Sequence, residues 1–368
     1  MKKKILVVGQ TPPPYGGQAL MIEYMLKANF EDIEFYHLRM CFSREMNERG
    51  KFSFYKITHL FAIIFRTIFL KYKNGVDVLY YPPSNAPKIS VYRDLIFLFF
   101  TRFFFKKTIF HFHAAGVSEF IKNQNFLIKR ITFFILQKPD LAISSSSYNP
   151  PDAAFLKAKR EVIIPLGIPN LVDSSNFKAK SRDYSVLNIL FIGLLNSTKG
   201  EGYLVDAIAN LKLKGYSINL RIAGKFETED YRKKFFQKVK MHNLEKNVDY
   251  LGVITGDIKK KAFLDTDLFC FPSFFISESF GIVLLEAMMY KLPIIATRWR
   301  GIQSIVEDGK NGYLVNIKNS VQLEEKIEIF LKQPELLDKM GEYSQTLFLK
   351  KYTVSTYTEN LEKEFSKI

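Results

Sequence analysis

The sequence predicts an α/β protein with two Rossmann-like domains that face each other across a cleft. Short apolar runs alternate with longer helical stretches, the pattern of a parallel, doubly wound sheet. The alternation stops once, in a segment at 165–180 that contains two prolines, a glycine and a polar tail, and then restarts. A length of 368 residues is enough for two cores. We therefore place an N-terminal domain at 1–172 and a C-terminal domain at 173–351, and we expect a C-terminal helix at about 352–368 to pack back on the first domain.

The elements follow in order along the chain. In the first domain we expect a helix at 17–28 and buried strands at 4–9, 76–81, 108–112, 141–144 and 162–165. In the second domain we expect helices at 202–212 and 231–242 and strands at 187–193, 218–224, 248–251, 268–271, 294–297 and 312–315. Ligands of open α/β sheets collect at the carboxyl ends of such strands.

Charge and phenylalanine are concentrated in the first half. The formal net charge is +16, with 53 Lys and Arg against 37 Asp and Glu, and 35 residues are Phe. Residues 1–172 hold 24 basic and 12 acidic side chains, and residues 173–368 hold 29 and 25. A basic balance suits nucleic acid, an anionic membrane surface or an anionic small molecule. No RNA- or DNA-binding motif is present, and Phe occurs in runs rather than spaced among basic residues, so we expect no nucleic-acid partner.

Location is predicted from what the chain lacks. Two distant cysteines, Cys41 and Cys270, favour a reducing cytoplasm, and the N-terminal apolar run is too short for a signal peptide. The best candidates for a membrane span, 52–73 and 95–105, contain basic residues and fall short of the 18 to 20 apolar residues, roughly, that a span requires. We expect a cytoplasmic protein that is soluble or peripheral. Most of the Phe should lie in the core, but one face would bind an anionic bilayer through basic residues at 51, 56, 66, 71, 73, 102, 106 and 107.

Two loops suit phosphate binding. Gly16 and Gly17 follow three prolines and open a helix, so their backbone N–H groups would face an anion at a helix N-terminus; a tight turn is the simpler interpretation. Lys199 precedes a second helix start, where it would pair with a phosphate, although a solvated surface lysine is the alternative. The first loop is not GxGxxG and no acidic residue follows at dinucleotide spacing, which disfavours a nicotinamide cofactor.

The most informative stretch carries two glutamates. Seven residues separate Glu278 from Glu286, roughly 12 Å along a helix, which suits two ends of one elongated ligand rather than a carboxylate pair at a single bond. The N–H groups of Ser279, Phe280 and Gly281 would lie at a helix N-terminus. Glu286 stands in an otherwise apolar helix, where an ionised group needs a partner.

These motifs resemble family 4 of the retaining, GT-B-fold glycosyltransferases (glycosyl transferases group 1), which use nucleotide sugars. The resemblance is carried by Glu278-x7-Glu286, by Phe271-Pro-Ser273 before it, and by Pro293-Ile-Ile-Ala-Thr297, Val306-Glu-Asp-Gly309 and Asn311-Gly-Tyr-Leu-Val315 after it. It is close over about 187–315. In the first half it is limited to Pro14-Tyr-Gly-Gly17, His113 and the segment at 162–168.

The resemblance implies a role for each matching residue. Glu286 would bind the ribose and Glu278 the transferred sugar, while Lys199, the helix N-terminus at 279–281 and Gly16 with Gly17 would bind the diphosphate. His113 would contact the sugar near the reaction centre, whereas two histidines at 111 and 113 without nearby Asp, Glu or Cys make a poor metal site. Val253 would lie near the base, and Tyr15 and Ser144 are candidates for the acceptor side. Neither a cofactor nor a metal is expected.

One departure from the family concerns the diphosphate. The family places an Arg shortly after the glycine at 193, and this chain has Leu194 there, so Lys225, Arg298 or Arg300 would have to substitute. The expected reaction is transfer of a sugar from a nucleoside diphosphate to an acceptor hydroxyl, on a glycan or lipid-linked acceptor of the kind found in bacterial surface polysaccharide or O-antigen synthesis. The alternatives are a sugar-nucleotide epimerase of the same fold and a non-catalytic scaffold that binds membrane or glycan.

Overall fold

The structure is a computed structural model and describes residues 2–40, 42, 54–85, 88–172 and 185–368. It consists of two compact units, one formed by Met1–Gly167 with Val354–Ile368 and the other by Ile168–Thr353. Each unit holds one six-stranded parallel sheet with helices around it, so the predicted two-domain α/β architecture is confirmed. The predicted linker at 165–180 lies partly outside the described residues.

The sheet of the first unit has the strand order β2-β1-β3-β4-β5-β6, and every pairing is parallel. Its strands are β1 (Lys3–Gly9), β2 (Ile33–Arg39), β3 (Val78–Tyr81), β4 (Lys107–Phe112), β5 (Leu141–Ser144) and β6 (Glu161–Ile163). The chain passes from β1 to β2 on one side and continues with β3 on the other, so the switch point lies between β1 and β3.

Helices cover this sheet and complete its core. They are α1 (Gly17–Lys27), α2 (Phe54–Asn74), α3 (Lys88–Thr101), α4 (Val117–Lys122), α5 (Phe126–Leu136) and α6 (Asp152–Phe155), with a 3₁₀ turn at Arg102–Phe104. Strand residues such as Leu6, Leu79 and Phe110 share one buried cluster with Ile63 of α2 and Leu98 of α3. These helices therefore bury one side each against the sheet, and their other sides face outward.

The sheet of the second unit has the order β12-β11-β10-β7-β8-β9. Its strands are β7 (Leu187–Ile192), β8 (Ile218–Ala223), β9 (Val248–Gly252), β10 (Leu268–Phe271), β11 (Ile294–Thr297) and β12 (Gly312–Val315). Its helices are α7 (Glu201–Leu213), α8 (Glu229–Met241), α9 (Gly256–Leu264), α10 (Ile282–Met289), α11 (Ser320–Lys332) and α12 (Glu335–Lys351), with a 3₁₀ turn at Arg300–Ser304. All six strands predicted here are confirmed: β10, β11 and β12 have the predicted bounds, and β7, β8 and β9 differ by one residue at the carboxyl end.

The last helix, α13 (Val354–Phe365), belongs to the first unit. Lys3 donates from its ammonium to the carbonyl of Phe365 at 2.9 Å, and the rings of Phe30 and Phe365 stack at 6.5 Å. Arg160 pairs with Glu364 at 3.1 Å. The helix thus completes the first sheet's second layer with residues from the far end of the chain.

Candidate active site

In the second sheet the order in which the chain adds strands reverses between β7 and β10. These two strands are neighbours in space but far apart in sequence. The chain leaves β7 for β8 on one side, while β10 lies on the other side. Two loops, at 193–200 and 272–281, extend from the carboxyl ends of these two strands. A switch point of this kind is where open α/β sheets bind ligands.

Lys199 and Glu278 meet at this point. The Lys199 ammonium donates to a carboxylate oxygen of Glu278 at 2.6 Å, and each side chain is 12% exposed. The ammonium also lies 4.7 Å from the ring centre of Phe275 and 5.4 Å from that of Phe271. The Ser273 hydroxyl adds a long hydrogen bond, 3.4 Å, to the same carboxylate oxygen. The sequence placed both residues in a donor site but did not predict that they pair with each other.

Close backbone contacts hold the two loops together. Phe274 donates its N–H to the carbonyl of Thr198 at 2.8 Å. Gly200 has φ +83°, and a Cβ at this position would lie 2.1 Å from the Pro272 carbonyl oxygen. Only glycine fits both the conformation and the space, so Gly200 fixes the distance between the loop of Lys199 and the loop of Glu278.

The N-terminus of α10 closes the second loop. The helix begins at Ile282, directly after the three residues predicted to lie at a helix N-terminus, and Gly281 is its N-cap with φ +96°. A glycine cap has no side chain to accept hydrogen bonds from the first-turn N–H groups, which leaves this end open to an anion. Ser279 and Phe280 are buried just before it, and a Cβ on Gly301 would lie 1.8 Å from the Ser279 carbonyl oxygen. Burial and this close backbone contact therefore hold the backbone of residues 279–281 in place.

Glu286 has the partner that its apolar surroundings require. The Lys259 ammonium, on α9, contacts both carboxylate oxygens of Glu286, at 2.5 and 2.7 Å. The two side chains are about one-quarter exposed, so the pair is accessible from solvent. Sequence reasoning missed Lys259 because it lies 27 residues earlier, on another helix.

Lys225 lies beside the position where the family has its arginine. The Leu195 N–H donates to the Lys225 carbonyl at 2.9 Å, and the Lys225 side chain is exposed. By contrast, Arg298 pairs with Asp308 at 2.9 Å, and Arg300 is buried with its guanidinium 5.2 Å from the ring centre of Trp299. The backbone of Lys225 thus lies next to Leu195, the residue after Leu194.

Glu201 adds a buried acid next to the Lys199 loop. It is the first residue of α7, follows Gly200 directly and is fully buried. Burial raises the pKa of Glu201 to about 7, and the positive charge of Lys199 opposes that rise. No local pattern in the sequence indicates this burial, because an acidic residue in the first turn of a helix is ordinarily solvated.

Val253, the predicted neighbour of the base, lies in the exposed loop after β9. The preceding residue, Gly252, accepts a hydrogen bond from the Gly224 N–H at 2.7 Å, and Tyr250 donates to the Gly224 carbonyl at 2.8 Å. These bonds join the carboxyl ends of β8 and β9 behind Val253.

In the first unit, the predicted glycine loop lies at the carboxyl end of β1. Gly17 is the first residue of α1, and Gly16 is its N-cap in an extended conformation. Tyr15 is highly exposed in the same loop. Ser144 is the last residue of β5 and is largely buried.

His113 belongs to a buried, neutral cluster. The Tyr80 hydroxyl lies 2.8 Å from Nδ1 of His111 and 3.2 Å from Nε2 of His113, and the two imidazole rings stack at 3.9 Å. Burial lowers the pKa of His113 to about 3 and holds the pKa of His111 well below its ordinary value. Both rings are therefore uncharged at neutral pH. Tyr80 was missed because it lies within a buried strand.

The described residues contain neither a cluster of metal-binding side chains nor a membrane-spanning helix. Nowhere in the ranges given above do three or more His, Cys, Asp or Glu side chains gather as ligands for a metal ion. None of the helices within those ranges has the length and apolar character needed to cross a bilayer.

Solved structures define the class of fold. The Anabaena protein HepE in complex with UDP-glucose aligns over 99% of this chain and 100% of its own, with a TM-score of 0.72 and 18% identity. At that identity the similarity concerns the fold, and the two parallel α/β units are those of a GT-B glycosyltransferase.

Sequence comparison then shows which family the second part of the chain is similar to. The profile of the glycosyl transferases group 1 family matches residues 174–347. A 41.2 kDa protein of the cps region of Klebsiella pneumoniae, itself uncharacterized, is 24% identical over 332 residues, 87% of each chain. An alpha-D-kanosaminyltransferase of Streptomyces kanamyceticus is 27% identical over 173 residues, 47% of this chain and 44% of its own. Residues 174–347 thus match the group 1 glycosyltransferases, in agreement with the resemblance read from the motifs.

Proposed function

We propose that the protein transfers a sugar from a nucleoside diphosphate sugar to an acceptor hydroxyl, with retention of the anomeric configuration. The observation that carries the proposal is the Lys199–Glu278 pair at the switch point of the second sheet, 2.6 Å apart and largely shielded from water. A cation suits the diphosphate of such a donor and a carboxylate suits the hydroxyls of its sugar. The Anabaena neighbour, whose complex contains UDP-glucose, supports this class of donor.

In this proposal the reaction breaks the bond between the anomeric carbon and the diphosphate and forms a bond from that carbon to the acceptor oxygen. The hydroxyl proton leaves with the diphosphate product. Negative charge grows on the diphosphate as its bond breaks, and groups fixed in advance near that charge lower the barrier. Lys199 and the open N-terminus of α10 at Gly281 would supply them, with Lys225 as a second cation.

The other end of the donor would be held by Glu286. Its carboxylate, already shared with Lys259, would accept hydrogen bonds from the ribose hydroxyls, and Val253 would lie near the base. In the first unit, His113 would contact the transferred sugar as a neutral imidazole, Gly16 and Gly17 would bind phosphate, and Tyr15 and Ser144 would serve the acceptor. The proposal requires no metal, because the chain supplies its own cations for the diphosphate.

For the acceptor, we propose a glycan or lipid-linked glycan in bacterial surface polysaccharide synthesis, handled at the cytoplasmic face of the membrane. The support is the Klebsiella relative, which is a protein of a cps region.

The experiment that tests the proposed reaction is release of nucleoside diphosphate from a panel of UDP, GDP and ADP sugars, with and without EDTA, together with NMR of the product's anomeric linkage. Turnover with inversion, or activity abolished by EDTA, would contradict the corresponding part of the proposal. Epimerised donor without transfer would favour an epimerase, and donor binding without chemistry would favour a scaffold.

Thermal-shift titration is the complementary test, since a ligand that binds the folded state raises Tm by mass action. We expect stabilisation by one nucleoside diphosphate above the others, and loss of that stabilisation in Lys199→Ala.

A further inference from the structure

The outward side of the first unit carries an unusual apolar surface. It is formed by α2, α3, the 3₁₀ turn after α3, and α5, and we call it the aromatic face. Its exposed members are Phe61, Phe65, Phe69, Tyr72, Tyr92, Ile96, Phe99, Phe100, Phe103, Phe104, Leu127, Ile131 and Phe134.

These residues repeat with the helical period. On α2 they lie at 61, 65, 69 and 72; on α3 and the turn at 92, 96, 99 and 103; on α5 at 127, 131 and 134. Each series is one stripe along a helix, opposite the stripe that packs on the sheet. The three helices are thus apolar both on the side that packs on the sheet and on the side that faces solvent. Burial in the core accounts for the first apolar side but not for the second.

The stripes join into one surface. Helix α2 packs on α3, and α3 packs on α5. The ring of Phe103, on the turn after α3, lies 6.0 Å from that of Phe134 on α5. Within α3, the rings of Phe99 and Phe100 meet edge to face at 5.1 Å. Such contiguous exposure marks an interaction surface, unlike single exposed apolar residues.

The second unit provides the contrast. Every Phe that is exposed in the described residues lies on α2, α3, the 3₁₀ turn or α5. The exposed apolar residues of the second unit are aliphatic or isolated, for example Leu213, Met241 and Ile258. The aromatic face is therefore a local feature of the first unit.

Charge identifies the kind of partner. The described parts of α2, the turn and α5 contain no acidic residue, and the acid of α3, Asp94, is buried and accepts from the Tyr81 hydroxyl at 2.7 Å. Exposed cations stand on the same elements: Arg66 and Lys73 on α2, Lys129 and Arg130 on α5. Apolar rings flanked by cations complement an anionic lipid surface.

The structure corrects the set of cations predicted from the sequence. Arg102 is buried, and its guanidinium donates to the carbonyls of Gln137, at 2.7 Å, and Ile135, so it is a structural residue. Lys71 and Lys106 both pair with Asp77, at 3.7 and 2.7 Å. Lys51 lies outside the described residues. The cations of α5, which the sequence did not single out, take their place.

A groove beside α5 has the same character. It encloses about 450 Å³ and is lined by Ile121, Phe126, Lys129, Arg130, Phe133 and Phe155. Apolar walls with two cations match an acyl chain joined to an anionic headgroup. A polar glycan or a second copy of this basic chain would match them poorly, because the first presents mainly hydroxyl groups and the second repeats the same positive charge.

We propose that the aromatic face docks the protein on an anionic lipid bilayer, with its aromatic rings at the level of the acyl boundary and Arg66, Lys73, Lys129 and Arg130 at the headgroups. This docking stands apart from the transfer reaction and requires no donor.

The test is flotation of the full-length protein with vesicles of phosphatidylcholine alone or with 30% phosphatidylglycerol, on the order of the anionic content that attracts basic proteins. We expect binding to the anionic vesicles only, weakened as salt rises from about 0.05 to 0.5 M because screening shortens the reach of the charges. The variant Phe65→Ser/Phe99→Ser/Phe134→Ser should lower the partition coefficient more than tenfold, roughly the effect of withdrawing several rings from an apolar boundary. Arg66→Glu/Lys73→Glu/Arg130→Glu should do so at low salt.

The matched controls lie in the second unit. Leu213→Ser/Met241→Ser/Ile258→Ser removes exposed apolar residues, and Lys240→Glu/Lys246→Glu reverses exposed charges, and both variants should float like the unaltered protein. Circular dichroism and Tm establish that each variant folds. Absence of binding, equal binding to neutral vesicles, or a dimer in solution that the Phe→Ser variant abolishes would overturn the proposal. Normal flotation of a variant that has lost transferase activity, such as Lys199→Ala, would leave it intact and separate it from the proposed reaction.

Discussion

The ammonium of Lys199 lies 2.6 Å from the carboxylate of Glu278, although 79 residues separate them in the chain. Both side chains are mostly buried, at the switch point of the second sheet. In the absence of a donor the two groups neutralise each other. A donor that brings its own diphosphate and hydroxyls would give each of them a new partner, so binding would exchange one set of polar contacts for another.

This exchange predicts coupled effects of mutation. Lys199→Met should lower kcat/KM about 100-fold or more, the scale for loss of one group that stabilises developing negative charge. Glu278→Gln should also lower it, and the double variant should lose less than the product of the two, because residues in contact are not independent. Steady-state kinetics on all four proteins measures the coupling. The exposed pair Lys234–Asp230, at 2.7 Å, is the control and should leave kcat/KM unchanged in the same cycle. Full additivity at 199 and 278 would mean that the pair does not act together.

The missing arginine leads to a gain-of-function prediction. Leu194→Arg should tighten nucleoside diphosphate binding about tenfold, which corresponds to one charge-assisted hydrogen bond. Lys225→Met should weaken nucleoside diphosphate binding by a similar factor. The Lys225 carbonyl accepts from the Leu195 N–H, so the Lys225 side chain begins close to Leu194, where the family has its arginine. Isothermal titration calorimetry measures both, with Lys246→Met as an exposed control elsewhere on the unit. If Lys225→Met binds as tightly as the unaltered protein, Lys225 does not replace the arginine.

The regular elements were largely predictable because their signals are local. The strands at β7, β10 and β11 are short apolar runs that end in Gly, Pro or Thr, and they appear where the sequence placed them. Strand β2 was not predicted, because it lies at the sheet edge and its sequence mixes polar with apolar residues on both faces. The pattern of an edge strand is weaker than that of a buried one.

The sequence singled out residues of the candidate site but not the pairs that they form. Motif spacing located Lys199, Glu278 and Glu286, whereas Lys259 comes from a different helix and carries no signal of its own. Arg102 was predicted at a lipid surface because arginine is usually exposed, yet backbone carbonyls at the end of α5 bind it inside the unit. Contacts between distant segments decide these cases, and a single sequence does not encode them in a readable form.

Glu286 should distinguish a nucleoside from a bare diphosphate. If its carboxylate binds ribose hydroxyls, Glu286→Gln should weaken UDP, GDP or ADP binding about tenfold or more while leaving inorganic diphosphate binding unchanged. Lys259→Met, which removes the partner at 2.5 Å, should have the smaller effect on nucleoside diphosphate affinity. Competition binding against a fluorescent nucleotide measures all four combinations. Equal weakening of both ligands in Glu286→Gln would assign it to the structure of α10 instead.

Glu201 makes the stability of the protein depend on pH. Its pKa in the folded protein is about 7, above the ordinary value of 4.5, so the folded state favours the protonated acid. That contribution is fully present below pH 4.5 and is lost as the pH rises to 7, where the unfolded chain has already ionised. Glu201→Gln should therefore match the unaltered protein near pH 4.5 and exceed its unfolding free energy above pH 7, by about 3 kcal/mol at most.

Urea unfolding at several pH values between 4.5 and 8 measures this difference. Glu229→Gln, in the first turn of the next helix and 76% exposed, is the control and should follow the unaltered protein throughout. A constant difference between Glu201→Gln and the unaltered protein at all pH values would show that Glu201 is ionised in the folded state.

Tyr80 should position His113 through the hydroxyl that lies 3.2 Å from its Nε2 and 2.8 Å from Nδ1 of His111. Tyr80→Phe leaves the packing in place but removes that hydroxyl, and should cost about 1–3 kcal/mol of unfolding free energy. If His113 contacts the sugar, kcat should fall as well, with little change in donor affinity, because only the orientation of the imidazole is lost. Tyr81→Phe is the control: its hydroxyl, equally buried, donates to Asp94 at 2.7 Å, so a similar loss of stability is expected with a smaller loss of kcat. Denaturation measures the unfolding free energy of both variants, and steady-state kinetics measures their kcat. Equal losses of kcat in the two variants would show that Tyr80 is a core residue with no positioning role for His113.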